Sequence, residues 1–175
     1  MILKLKRTPG IYLVGFMASG KTTIGRLLAD ELGWSFVDLD QDIEGEQKIS
    51  IGEIFNTRGE AEFRKIENEA VRRRVGEVVR GRPLVLALGG GTFCDETAQT
   101  LLRENGVAIW LDCSYPRVCD RIQGSTHRPL ARDSEKFEQL YKQRQSAYAK
   151  AEYRIEIESD DPAAALAAIL KLSIF

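Results

Sequence analysis

Two periods of hydrophobic and polar positions alternate along this chain. Strand-like runs fall at 11–14, 35–38, 84–88, 107–111 and 153–158. Leu84-Val85-Leu86-Ala87-Leu88 is continuously apolar, as a central parallel strand with both faces covered should be. Between the runs, apolar residues recur at helical spacing. Ile24, Leu27, Leu28 and Leu32 lead up to Gly33, a C-terminal stop. Phe63, Ile66, Ala70 and Val71 form the stripe of a long helix opening at Gly59-Glu60. Phe137, Leu140, Tyr141, Arg144 and Tyr148 share a further stripe, and a last helical pattern runs from Ala163 to Leu172. This alternation predicts an α/β fold, a five-stranded parallel sheet flanked by helices in a three-layer sandwich. No repeat, linker or boundary divides the chain, so residues 1–175 read as a single domain.

The first strand runs into Gly15-Phe16-Met17-Ala18-Ser19-Gly20-Lys21-Thr22, a glycine, four residues, then Gly-Lys-Thr. With a strand before it and a helix after it, this is the phosphate-binding loop pattern. Glycines let backbone N–H groups turn inward on phosphate oxygens, and the following helix aims its positive end at the same place. Lys21 would reach the outer phosphates, and the Thr22 hydroxyl would ligate Mg²⁺. The competing reading is a glycine-rich turn that only links strand to helix.

Composition narrows the classes. A formal net charge of −1 argues against non-specific nucleic-acid binding. No hydrophobic run approaches a membrane span, and the N-terminal stretch with Lys4, Lys6 and Arg7 lacks a signal-peptide apolar region. Cys94, Cys113 and Cys119 have neither zinc-type nor redox-type spacing and read as small reduced residues of a cytoplasmic protein. A monomer is the default expectation.

Further candidates lie where predicted strands end. In an extended chain Phe36, Asp38 and Asp40 share a face. Two carboxylates beside a phosphate loop suit holding the water shell of Mg²⁺ and orienting or deprotonating an acceptor hydroxyl. Alternatively, they form an acidic turn capping the next helix. Asp42 and Glu44 read as surface, as does the run Arg72-Arg73-Arg74. Arg64 falls off its helix stripe, with Glu60 and Glu67 nearby, and local pattern favours ordinary helix salt bridges. Gly89-Gly90-Gly91 is either a flexible turn or a place where a ligand presses on backbone. The segment 121–134, with Gly124, Ser125, the single histidine His127 and Arg128-Pro129-Leu130, suits a mobile lid whose Arg stabilises a transferring phosphoryl group; a solvated basic loop is the other reading. Arg144 sits on an apolar stripe and needs a partner, either an internal carboxylate or an anionic substrate. The turn Ser159-Asp160-Asp161-Pro162 would lie near an adenine.

Taken together and in order, these elements resemble the shikimate kinase family. The carriers are Gly15–Thr22, Asp38-Leu39-Asp40, Gly59-Glu60-Ala61-Glu62-Phe63-Arg64, Gly89–Gly91, Arg128-Pro129-Leu130 and Arg144, and the resemblance spans about residues 10–170. It implies a P-loop kinase that transfers the ATP γ-phosphoryl group to the 3-hydroxyl of shikimate, on the way to chorismate and aromatic amino acids. It implies ATP contacts from Ala18, Ser19, Gly20, Lys21, Thr22, Thr23, Arg121 and Arg128. It implies shikimate contacts from Asp40, Arg64, Gly89, Gly90, Gly91 and Arg144, with substrate-binding helices over about 39–79. Catalysis would rest on Asp40, Lys21 and Arg128, with Thr22 on Mg²⁺ and Asp38 in its outer shell. Ala18 departs from the family, which often has glycine there. A gluconate or nucleoside-monophosphate kinase, and a non-catalytic nucleotide-binding module, are the alternatives; the Arg64/Arg144 pair speaks against the former and retention of the whole catalytic set against the latter.

Overall fold

The computed structural model describes residues 10–123 and 133–175. Five strands, β1 (Gly10–Val14), β2 (Ser35–Asp38), β3 (Leu84–Ala87), β4 (Gly106–Asp112) and β5 (Tyr153–Glu156), form one sheet in the order β2-β3-β1-β4-β5. Every pairing is parallel. β1 and β3 are buried along their whole length, which requires helices on both faces. The helices are α1 (Lys21–Leu32), α2 (Leu39–Gln47), α3 (Ile51–Val79), α4 (Glu96–Glu104), α5 (Tyr115–Gln123), α6 (Ser134–Tyr148) and α7 (Pro162–Leu170). The α/β architecture expected from the pattern is the one found.

Local chemistry explains most boundaries. α1 stops at Gly33, whose φ of 67° is the left-handed conformation glycine adopts without a Cβ penalty. α3 opens with a capping box: Ser50 Oγ accepts from the Glu53 N–H, and the Glu53 carboxylate accepts from the Ser50 N–H. At Gly59 the helix breaks, with φ 84° and ψ 168°, so the segment carrying Arg64 starts a fresh axis. Strand ends differ from expectation by a residue or two. β5 stops at Glu156, although Ile157 N–H still donates to Asp112 O across the edge (2.9 Å). The last helix begins at Pro162 because Asp161 caps it, its carboxylate accepting from the Ala163 N–H at 3.0 Å.

Two expectations about exposed charge do not hold. Asp42 is not free on the surface; Arg74 Nε donates to it at 2.9 Å and Arg73 Nη2 at 3.0 Å. Arg73 also reaches Glu46, and Arg74 reaches Glu77. Two members of the arginine run therefore clamp α2 to α3, and this network holds the Asp42 carboxyl below its usual range. Glu44 likewise works in the fold, accepting from the Ile51 N–H at 2.9 Å and fixing the α2–α3 turn. The cysteines are unpaired as expected, but Cys94 is exposed while Cys113 is buried.

At the amino end of the sheet, Gly10 and Gly106 lie in register, and the Tyr12 ring packs over both while its hydroxyl donates to Asn105 O at 3.1 Å. A Cβ at Gly106 would run into the Gly10 carbonyl oxygen and the Tyr12 ring. Gly106→Ala should therefore destabilise by about 1–3 kcal/mol. The melting temperature should fall by roughly 2–4 °C per kcal/mol in a chain of this size. Because this end is remote from the strands' carboxyl edge, Michaelis constants should stay unchanged; thermal melts beside steady-state kinetics check both halves.

Candidate active site

In a parallel sheet all strand carboxyl ends share one edge, and ligands bind where neighbouring connections diverge. Here β1 leads towards β2, whereas β3, its neighbour, leads across to β4. The crevice between β1 and β3 is flanked by the phosphate loop on one side and the glycine run on the other. A cavity of about 980 Å³ occupies this edge. Lys21, Thr22, Asp40, Gly90 and Arg121 line it, and so does the turn Ser159–Pro162.

The loop is wound tightly, with Gly15 at φ 148°, Gly20 at φ 97° and Ala18 at φ 60°. Ala18 thus holds a left-handed conformation at a cost of about 1–2 kcal/mol that glycine would avoid. Its carbonyl accepts from Arg121 Nη1 at 2.7 Å, and Arg121 in turn bonds to Asp160. That bridge ties the loop, α5 and the turn before α7 together. Lys21 Nζ donates to the carbonyls of Gly15 (2.8 Å) and Phe16 (2.9 Å), so the ammonium stands on the loop's inner side.

The two aspartates are not on one extended face. β2 ends at Asp38, and Asp40 lies in the first turn of α2. Asp38 takes one of the roles weighed for it, the helix cap, and adds a bond to the phosphate loop. One carboxylate oxygen caps α2 by accepting from Gln41 N–H at 3.1 Å, and the other accepts from the Thr22 hydroxyl at 2.5 Å. Asp40 is turned inward. Burial, and then the carboxylates of Asp38 and Glu67, push its pKa up to about 6; Lys21 opposes the shift.

The glycine run receives three charged side chains. None of the three has positive φ, so conformation is not what demands glycine here. A Cβ at Gly89 would lie 2.8 Å from Asp40 Oδ1, at Gly90 2.7 Å from Arg144 Nη1, and at Gly91 2.7 Å from Arg64 Nη2. The run gathers Asp40, Arg144 and Arg64, which come from three different helices. Arg144 also lies over the Phe16 ring, 5.8 Å from its centroid.

Arg64 keeps its salt bridges while reaching the glycine run: Nη1 donates to Glu67 Oε1 at 2.8 Å and Nη2 lies 3.5 Å from Glu60. Glu67 is the buried partner that sequence reasoning missed. It is only 3% exposed, and its other oxygen accepts from Thr92 Oγ1 at 2.8 Å. The available signal was its place four residues after Phe63, on the apolar stripe. Arg128, His127 and most of the expected lid fall in 124–132, outside the described residues.

Comparison with known proteins identifies the family and the fold. The family model described as Shikimate kinase matches residues 17–173. A shikimate kinase of Persephonella marina is 42% identical over 87% of this chain and 91% of its own. One from Synechococcus elongatus is 42% identical over 93% and 85%. Among solved structures, shikimate kinase from Acinetobacter baumannii, in complex with shikimate, superposes with a TM-score of 0.85 at 33% identity, covering 93% of this chain and 91% of that one. A gluconokinase from Sinorhizobium meliloti, at 16% identity and a TM-score of 0.54, shares the fold alone. With the family model spanning nearly its whole length, the chain belongs to the shikimate kinase family.

Proposed function

We propose that this protein transfers the γ-phosphoryl group of ATP to the 3-hydroxyl of shikimate, releasing shikimate 3-phosphate and ADP in the route to chorismate. The observation that carries the reading is the convergence on Gly89–Gly91 of one carboxylate and two guanidiniums, a donor-and-acceptor set suited to a small hydroxylated carboxylate. Arg144 has no carboxylate partner among the described residues. A planar guanidinium so placed matches a substrate carboxylate in bidentate fashion. Arg64, held by Glu67, takes the second side of that carboxylate.

Asp40 accepts or steers the proton of the attacking hydroxyl, and its raised pKa makes it a better base than an ordinary carboxylate. The loop N–H groups and Lys21 hold the ATP phosphates, Arg121 flanks the adenine beside the 159–162 turn, and Arg128 meets the transferring group. The oxygen-only pair Thr22–Asp38 fits Mg²⁺, which favours oxygen ligands and keeps several waters. Thr22 would ligate the ion and Asp38 hold its water shell, and the ion would neutralise charge on the β- and γ-phosphates. We read the protein as a cytoplasmic monomer without nucleic-acid partners. Among the described residues only Phe55 and Val79 are large exposed apolar side chains, and no helix is long and apolar enough to cross a membrane.

Four outcomes follow. ADP release should depend on shikimate and not on gluconate or AMP; turnover with another acceptor alone would reject the substrate. Arg144→Ala should raise the Michaelis constant for shikimate about 10- to 100-fold and leave that for ATP nearly unchanged, since a charge-assisted hydrogen bond contributes about 1.5–3 kcal/mol. The kcat/KM for shikimate should fall as pH drops through about 6, because Asp40 must be ionised to act. The stability sign is opposite. A folded pKa raised above the unfolded value favours folding below about 4 and is lost as pH rises through about 6. Asp40→Asn should therefore cost at least about 10²-fold in kcat, yet melt higher than the wild type at pH 7.5.

A further inference from the structure

Tyr148 is fully buried at the end of α6, and the reaction as described above gives it no role. Its hydroxyl donates to the Gly90 carbonyl at 2.5 Å, a short bond between groups 58 positions apart in sequence. It lies one helical turn after Arg144, so both side chains leave the same side of α6. A Cβ at Gly90 would meet Arg144 Nη1 at 2.7 Å and the Tyr148 hydroxyl at 3.7 Å. The guanidinium stands beside the phenol oxygen and favours its ionised form, against a burial that pushes the phenol well above its ordinary range and keeps it a neutral donor. On its other side the ring packs against Trp110 of β4, with centroids 6.1 Å apart.

The consequence is geometric. A peptide group is planar, so fixing the Gly90 carbonyl fixes the following N–H, that of Gly91, pointing the opposite way. Glycine has no side chain to lock that plane, so the lock must come from a partner. Arg144 is a long side chain with no carboxylate partner among the described residues. Among the described residues, the Phe16 face, the Gly90 backbone and the Tyr148 oxygen are in place to set its orientation.

We propose that Tyr148 is a positioning residue for acceptor binding: its buried hydroxyl locks the Gly90 carbonyl and sets the angle at which Arg144 meets the substrate carboxylate. This rests on the reading of Arg144 as the carboxylate clasp. Loss of the hydroxyl leaves the ring's packing intact but frees the peptide plane and the guanidinium together. A merely structural tyrosine would change stability without singling out one substrate.

The test uses Tyr148→Phe, Arg144→Ala and Arg144→Lys, with the double variants, under saturating ATP and then saturating shikimate. Tyr148→Phe should raise the Michaelis constant for shikimate about 5- to 10-fold, of the size expected for one buried hydrogen bond, and leave that for ATP within twofold. Its preference for shikimate over the corresponding carboxamide should shrink by a similar factor. Arg144→Lys, which keeps the charge but loses the planar fork, should give the same pattern. In the Arg144→Ala background Tyr148→Phe should add less than twofold. Equal effects on both substrates, or undiminished multiplication in the Arg144→Ala background, would overturn the positioning role. An Arg144→Ala enzyme with an unchanged Michaelis constant for shikimate would instead overturn the clasp itself and the inference with it. Should Tyr148→Phe fail to fold, the Arg144→Lys pattern and its carboxamide preference decide alone: no change in either rejects an orientation-dependent clasp.

Discussion

A parallel sheet sends every strand's carboxyl end to one edge, and the chemistry of this protein depends on that constraint. β1, β2 and β3 finish side by side, so the phosphate loop, Asp38 and the glycine run are neighbours although the chain separates them by up to some seventy residues. Helices then deliver what the strand ends cannot carry. Asp40 comes from α2, Arg64 and Glu67 from α3, and Arg144 from α6. The Asp42–Arg73–Arg74 clamp fixes the first two helices to each other. Arg121 fixes the loop to the far side of the cavity.

Much of this was legible in the sequence, for identifiable reasons. The alternation of strand and helix periods is a local property, and so is the loop motif, and both appear where expected. The triple glycine by itself reads equally as a flexible turn or as a place where a ligand presses on backbone, and local pattern does not show what approaches it, because Asp40, Arg64 and Arg144 arrive through tertiary packing. Glu67 was masked by its neighbour: an acid three residues from an arginine on a helix looks like a surface pair. Only its position on the buried stripe distinguished it. Asp42 and Arg74 are 32 residues apart, and local pattern shows each as a lone surface charge.

Electrostatics and stability pull against each other at the centre of the site. Burial, and then the charges of Asp38 and Glu67, raise the cost of ionising Asp40. Two of the three are relieved by donors, Asp38 by Thr22 and Gln41, Glu67 by Arg64 and Thr92. For Asp40, Lys21 is the one charge among the main influences that favours ionisation. That imbalance sets Asp40 apart from the two neighbouring carboxylates. The fold tolerates it because the surrounding strands are buried and well paired.

The glycine run has a meaning at the level of the gene. Every single-base change that alters a glycine codon without ending the chain encodes Ala, Val, Ser, Cys, Asp, Glu, Arg or Trp, and all of these carry a Cβ. At each of the three positions that atom would lie within 2.8 Å of Asp40, Arg144 or Arg64. A missense change at any of these three codons therefore pushes aside a carboxylate or a guanidinium, whereas a change at a third base leaves the glycine and its neighbours untouched.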